Sequence, residues 1–175
     1  MASPQVAYPG LRSPRGWLAV AFLGVVLYLV SQVFRLYPEW IASVTGSTVG
    51  AVRQVLGVTA GLGSILFLSG LVAALWRANL AAGLSPAGVA GLALGAAGIG
   101  VLFLFEIARV LDWIRVTVSQ VRDLLNAAEV GDIIGNAFAF AGLAFLGVGL
   151  AQAAGLFGRP EEELPRAAAS AEETS

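Results

Sequence analysis

The chain has no cysteine, no histidine and no lysine, and its one methionine is the first residue. Each absence removes a class of chemistry. Without cysteine there is neither a disulfide nor a thiolate, and cysteine usage says nothing about the redox compartment. Haem, copper and zinc sites lean on His, Cys or Met, so no cofactor and no metal site is expected. A serine hydrolase needs a base beside its nucleophile, and neither of the usual bases is present. The run Gly95-Ala96-Ala97-Gly98-Ile99-Gly100 lies within an apolar stretch and lacks the lysine of a phosphate-binding loop. A pair of catalytic carboxylates would need two acids deep in apolar segments, and Glu106 alone approaches that position. The expectation is a protein that is not an enzyme.

Charge is scarce too. Only 12% of the side chains are charged and 58% are apolar, with a mean hydropathy of +0.83. Soluble domains carry about 25% charged residues. The net charge of −1 gives no reason to expect a nucleic-acid partner. The placement of the charges says more than their number: residues 16–34, 54–76, 78–105 and 133–158 hold none. A helix needs about 20 apolar residues to cross the roughly 30 Å hydrocarbon core of a bilayer, and each stretch is close to that length or longer. In lipid the backbone must bond to itself, as a helix or a closed barrel. Apolar runs without period-two alternation exclude the barrel.

The predicted fold class is therefore an all-α integral membrane protein with four transmembrane helices, near residues 16–36, 55–76, 87–108 and 133–157. The first hydrophobic run, from Trp17 to Phe34, follows Arg12 and Arg15 as a signal peptide would. It lacks a small-x-small cleavage site and is long for such a segment, so it reads as a retained span. Residues 1–15, with three prolines, and the acidic residues 159–175 read as disordered tails flanking a membrane domain at 16–158. Pro86, after Ser85, sits where a helix should begin.

Past the third span the pattern changes. Ile107, Leu111, Ile114, Val118, Val121, Leu125 and Ala128 follow at alternating steps of four and three. Arg109, Asp112, Ser119, Arg122, Asn126 and Glu129 take another face. Residues 109–130 thus read as an amphipathic helical segment. It either bends into the headgroup layer or runs straight on from residue 87 as a rod of roughly 60 Å at 1.5 Å per residue. Trp113 falls where an interfacial anchor belongs, as do Trp17 and Trp40, which favours the bent form.

The two long loops resemble each other. Arg35 to Ile41 reads Arg-Leu-Tyr-Pro-Glu-Trp-Ile, and Arg109 to Ile114 reads Arg-Val-Leu-Asp-Trp-Ile, one residue shorter. Leu68-Ser69-Gly70-Leu71 likewise resembles Phe140-Ala141-Gly142-Leu143. The chain reads as a tandem duplication of a helix–interfacial segment–helix hairpin, with both loops on one membrane face. Basic residues then divide evenly between the faces, and the positive-inside rule does not decide. The Arg12–Arg15 pair before the first span points to cytoplasmic termini, in the plasma (inner) membrane of a multi-pass protein.

Two kinds of candidate site remain. Small residues at a spacing of four, Gly57 with Gly61, Gly91 with Gly95 and Gly131 with Gly135, permit close helix approach, within the chain or toward a partner. Glu106, Arg109 and Asp112 alternate in charge at a spacing of three. They form either an interfacial ladder, Arg109 pairing with both acids, or a buried carboxylate able to carry a proton or a cation. The expected function is that of a non-enzymatic scaffold or accessory subunit working through helix–helix contacts. Its partners are the lipid bilayer and a second copy or another membrane protein. The alternative is a small ion or proton transporter, or channel component, that needs oligomerisation.

Overall fold

A computed structural model describes residues 14–116 and 118–156; both expected tails fall almost wholly outside the described residues. Six helices follow one another: α1 (Pro14–Phe34), α2 (Pro38–Thr45), α3 (Val49–Ala82), α4 (Pro86–Trp113), α5 (Ser119–Asn126) and α6 (Ala128–Ala153). No strand occurs among the described residues. Helices α1, α3, α4 and α6 are long and apolar enough to cross a membrane.

The helix ends have local causes. Proline occupies the first position of α1, α2 and α4, where its missing N–H costs nothing and its fixed φ suits the helix. The Ser85 hydroxyl caps α4 by accepting from the Gly88 amide at 3.1 Å, and Thr48 caps α3 by accepting from Ala51 at 3.2 Å. Gly46, with φ 66°, closes α2 in the left-handed conformation. At 34 residues α3 spans about 50 Å. It therefore overruns the expected 55–76 at both ends, because charge marks where apolarity stops and not where helical hydrogen bonding stops.

The amphipathic run does not form one helix. Helix α4 ends at Trp113, Arg115 takes φ 61°, and the chain resumes as α5 and then α6. The straight rod over 87–129 is thus absent, and the turn falls at 114–115. Ile114, Val116, Thr117 and Val118 are β-branched, which disfavours helix by restricting χ1 against the preceding turn. Helix α5 keeps the expected amphipathy on its own: Val121 is buried while Arg122 and Asp123 are exposed.

Helix α1 packs along α3 and α4 along α6, each pair more extensively than the two pairs pack together through α3. Glycine sets both seams. Gly24 lies against the backbone of Gly63 and Phe67, too near for any side chain at that position. Gly70 lies in the same way against Trp17 and Ala21. In the second pair Gly98 meets Gly135 and Ala139, and Gly142 meets Gly91 and Gly95. Gly24 and Gly98 meet corresponding backbone atoms across their seams, as do Gly70 and Gly142, whereas Gly63 meets the Tyr28 backbone and Gly135 the Leu102 side chain. Ile65, Leu68, Leu102 and Ala139 form the core that joins the two pairs.

Bulky side chains point outward. Phe22 is 70% exposed and Ile133 67%, while Ala108 and Ala139 are buried. Small residues inside and large apolar ones outside invert the distribution of a water-soluble bundle.

Candidate functional site

The loop-proximal end of the bundle gathers the charged residues that the sequence singled out, and arranges them differently from the expected ladder. The Glu106 side chain is 2% exposed. Arg109 donates through Nη1 to Glu106 Oε2 at 3.0 Å and through Nη2 to Asp132 Oδ2 on α6. Asp112 is not a partner of Arg109, and it is exposed. The reason is helical geometry. At about 100° per residue, Asp112 is turned roughly 120° from Glu106 around α4, away from the seam with α6. Asp132 stands in the second turn of α6, and the close approach of α4 to α6 brings it across. The ladder is therefore a bridge between two helices.

Glu106 lies where it does because Gly61 makes room. A Cβ at position 61 would fall on the Glu106 carboxylate, and one at Gly131 would fall in the Phe105 ring. These two glycines seat side chains and do not bring backbones together. Gly91, by contrast, lies against the α6 backbone at Gly142 and Leu146. Gly135 receives the Leu102 side chain and Gly95 that of Val72. Gly57 has only Arg35 at an ordinary contact distance of 3.5 Å. Five of the six expected glycines thus meet the chain itself at close range, and Gly57 does not.

Gly24, Gly63, Gly70, Gly98 and Gly142, which also meet backbone at the seams, were not among the expected ones. Glycines recur at seven along three of the helices, as in Gly63–Gly70, Gly91–Gly98 and Gly135–Gly142–Gly149, and Gly63, Gly70, Gly91, Gly98 and Gly142 each sit between residues four apart on the facing helix. Buried residues of α4 and α6 follow steps of three and four, the heptad of coiled-coil packing.

A small cavity of about 90 Å³ opens between α3, α4 and α6. Ser64, Glu106, Arg109, Asp132 and Asn136 supply its polar lining. Glu106, one of these residues, has its Oε1 buried without a hydrogen-bond partner. Ser64 and Asn136 each spend a donor on their own helix, to the carbonyls of Ala60 and Asp132. The same two residues line a larger, mostly apolar groove of about 340 Å³ that also touches Tyr28, Leu29, Phe67 and Phe140. The cavity and the groove therefore adjoin. On the loop side, Arg109 separates the cavity from a vestibule of about 210 Å³ lined by Arg35 and Arg53.

At the opposite end of the bundle Asn79, fully buried, donates through Nδ2 to the carbonyls of Leu75 at 2.9 Å and Leu146 at 3.0 Å. It ties α3 to α6, and Gly88 and Gly149 leave it space. Nothing in its sequence neighbourhood marks it out; a single amide between Ala78 and Leu80 is its only signal.

Of the expected anchors, Trp40 and Trp113 stand 61% and 47% exposed at the loop end, and Trp17 is half-buried near the start of α1. Among the described residues no group of three His, Cys, Asp or Glu side chains could hold a metal ion. Two carboxylates and one guanidinium give the site a formal charge of −1. It can accept hydrogen bonds from, or neutralise, one positive group. Comparison with protein-family models, with curated proteins and with solved structures finds no match to the chain.

Proposed function

We propose that the chain is an integral membrane protein that crosses the bilayer four times and acts, without catalysis, as a scaffold or accessory subunit. The observation that carries this reading is the inverted packing: glycine and alanine at the seams, Leu, Ile and Phe outward on four long helices. Such faces are costly in water and at home in lipid. Two tests apply. The protein should stay in the pellet after alkaline carbonate extraction of membranes. Reporter fusions at residue 45 and residue 165 should give opposite signals, the second cytoplasmic, in the plasma (inner) membrane. Release by carbonate would remove the membrane reading, and equal signals would remove the four-span topology.

The chain is also, on this proposal, a duplicated hairpin. The shared register of the glycine seams supports it, as does the repeated order of long helix, short helix, long helix. An experimental structure in which residues 34–75 and 108–150 fail to superpose would refute it.

A scaffold role is favoured over transport by what lies past the cavity. Ile65, Leu68, Leu102 and Ala139 pack together beyond Glu106, so the polar cavity has no continuation toward the far end of the bundle. Since the small-residue stripes are spent inside the chain, contacts with other proteins fall to the outward aliphatic faces and to the groove. Transport of a proton or cation is the second reading, favoured by the burial of Glu106. It predicts ion or proton flux through liposomes holding the purified protein, which the scaffold reading does not.

A further inference from the structure

We propose that the cavity at Glu106 and the groove beside it dock a transmembrane helix of a partner protein that carries a lysine. The lysine stem would lie past Ser64 and Asn136, with its ammonium on Glu106. The inference rests on the membrane reading above and names the partner's chemistry.

Three observations converge on it. The first is the buried, unpartnered Oε1 of Glu106, a residue that lines the cavity. A carboxylate oxygen sequestered from water and left without a donor is expensive. An ammonium brings three donors, and Asp132 and Asn136 offer further oxygens on the same wall. The second is charge. The groups facing Glu106 are Arg109 from its own helix, Asp132 and Asn136 from α6, and uncharged Gly61, Ser64 and Ile65 from α3. The formal sum of −1 asks for one positive charge, and ionisable groups between membrane helices pair with one another.

The third is the shape of the way in. Along α6, Asp132, Asn136 and Phe140 stand on successive turns about 6 Å apart, so the wall passes from charged to polar to apolar. The groove at the apolar end, about 340 Å³, is flanked by Leu29 of α1 and Phe140 of α6, 55% and 56% exposed. It opens sideways between helices whose outer faces are apolar. An occupant must enter laterally, be apolar for most of its length and carry the positive charge directly on an apolar stem. A lysine on a membrane helix does so, since its methylenes lie along apolar surface while its ammonium reaches a polar site. A bare cation would leave the groove unused. A phospholipid amine carries a phosphate between its chains and its ammonium, and that phosphate would face two carboxylates. The chain itself has no lysine, so a second copy cannot supply one.

The test uses a synthetic leucine–alanine transmembrane peptide with one lysine near one end, against the same peptide with leucine there. Association with the full-length protein is read by energy transfer in phosphatidylcholine vesicles, after carbonate extraction has shown that the protein is inserted. The lysine peptide should bind about tenfold tighter or more, as expected for a hydrogen bond to a charged group. Glu106→Gln should bring it down to the leucine peptide's affinity. Leu29→Trp, at the exposed lip, should weaken both while leaving the core untouched. Equal binding of the two peptides by the wild type would overturn the proposal, as would full lysine preference in Glu106→Gln. So would displacement of the lysine peptide by phosphatidylethanolamine vesicles or by sodium at physiological strength. A protein released by carbonate sinks the membrane reading instead, and the two failures are distinct.

Discussion

Replacing Arg109 by leucine should destabilise the protein far more than replacing its partner Glu106 by glutamine. Arg109 is the one donor to Glu106 Oε2, and Glu106 is 2% exposed. Removing the guanidinium leaves that carboxylate buried and unpaired, a loss of about 3–5 kcal/mol for a buried pair. Arg109 is 30% exposed, so water reaches part of the site and the lower figure, about 3 kcal/mol, is expected. Glu106→Gln behaves differently. The amide keeps an acceptor for Arg109, keeps the volume that Gly61 accommodates, and leaves Arg109 paired with Asp132 on α6. Its cost should stay within about 1 kcal/mol. The double variant Glu106→Gln with Arg109→Leu should then recover about 2 kcal/mol of the single Arg109→Leu loss, because the buried charge has gone. Reversible unfolding in mixed micelles, titrated with a denaturing detergent, measures all three against wild type. If Arg109→Leu unfolds with the wild type, or the second substitution brings no recovery, Glu106 is not buried and unpaired as argued.

Gly98→Ala should cost about 1–3 kcal/mol by overpacking the α4–α6 seam, whereas Gly100→Ala, with open space at its Cβ, should be neutral or slightly stabilising; equal unfolding midpoints would refute the seam. Asn79→Leu should lose about 0.6–1.7 kcal/mol in the same assay, the range for interhelical hydrogen bonds in membrane proteins. Ser119→Pro at the first position of α5 should leave stability near wild type, since proline's fixed φ suits a helix start and Val118 before it is extended; a loss as large as a mid-helix proline, about 3 kcal/mol, would mean that the helix starts earlier.

Much of this fold was legible in the sequence because lipid-scale apolarity is a long-range signal. The absence of charge over 78–105 defines α4 almost without regard to neighbours, and Ser85-Pro86 fixes its start through chemistry local to two residues. Its end was harder. The alternation of Ile107, Leu111, Ile114 and Val118 satisfies a helical period, yet the cluster of β-branched residues that contributes the last members also stops the helix. Period and propensity disagreed there, and propensity won. The site failed to read correctly for another reason. Glu106 and Arg109 are joined by spacing along one helix, but Asp132 lies 23 positions from Arg109 in the chain and meets it only because glycine brings α4 and α6 together. A spacing of four marks Gly91 with Gly95 on the α4–α6 seam, but Gly24, Gly63 and Gly70 of the α1–α3 seam have no glycine four positions away, so that seam left no such pattern.

The glycine seams also bear on how the molecule can move. Gly and Ala lose no side-chain rotamer freedom on burial, and backbone set against backbone has no flexible side chains to yield when pushed. Each helix pair is therefore a stiff plank. Between the planks the contacts are softer: Ile65, Leu68 and Leu102 can slide and change rotamer, and the link is the short turn at Gly83, where φ is 95°. Displacement has one easy coordinate, a tilt of α1–α3 against α4–α6 with the Asn79 end as its pivot. The groove between α1 and α6 lies across that coordinate, so whatever fills it acts as a wedge at the wide end of a hinge.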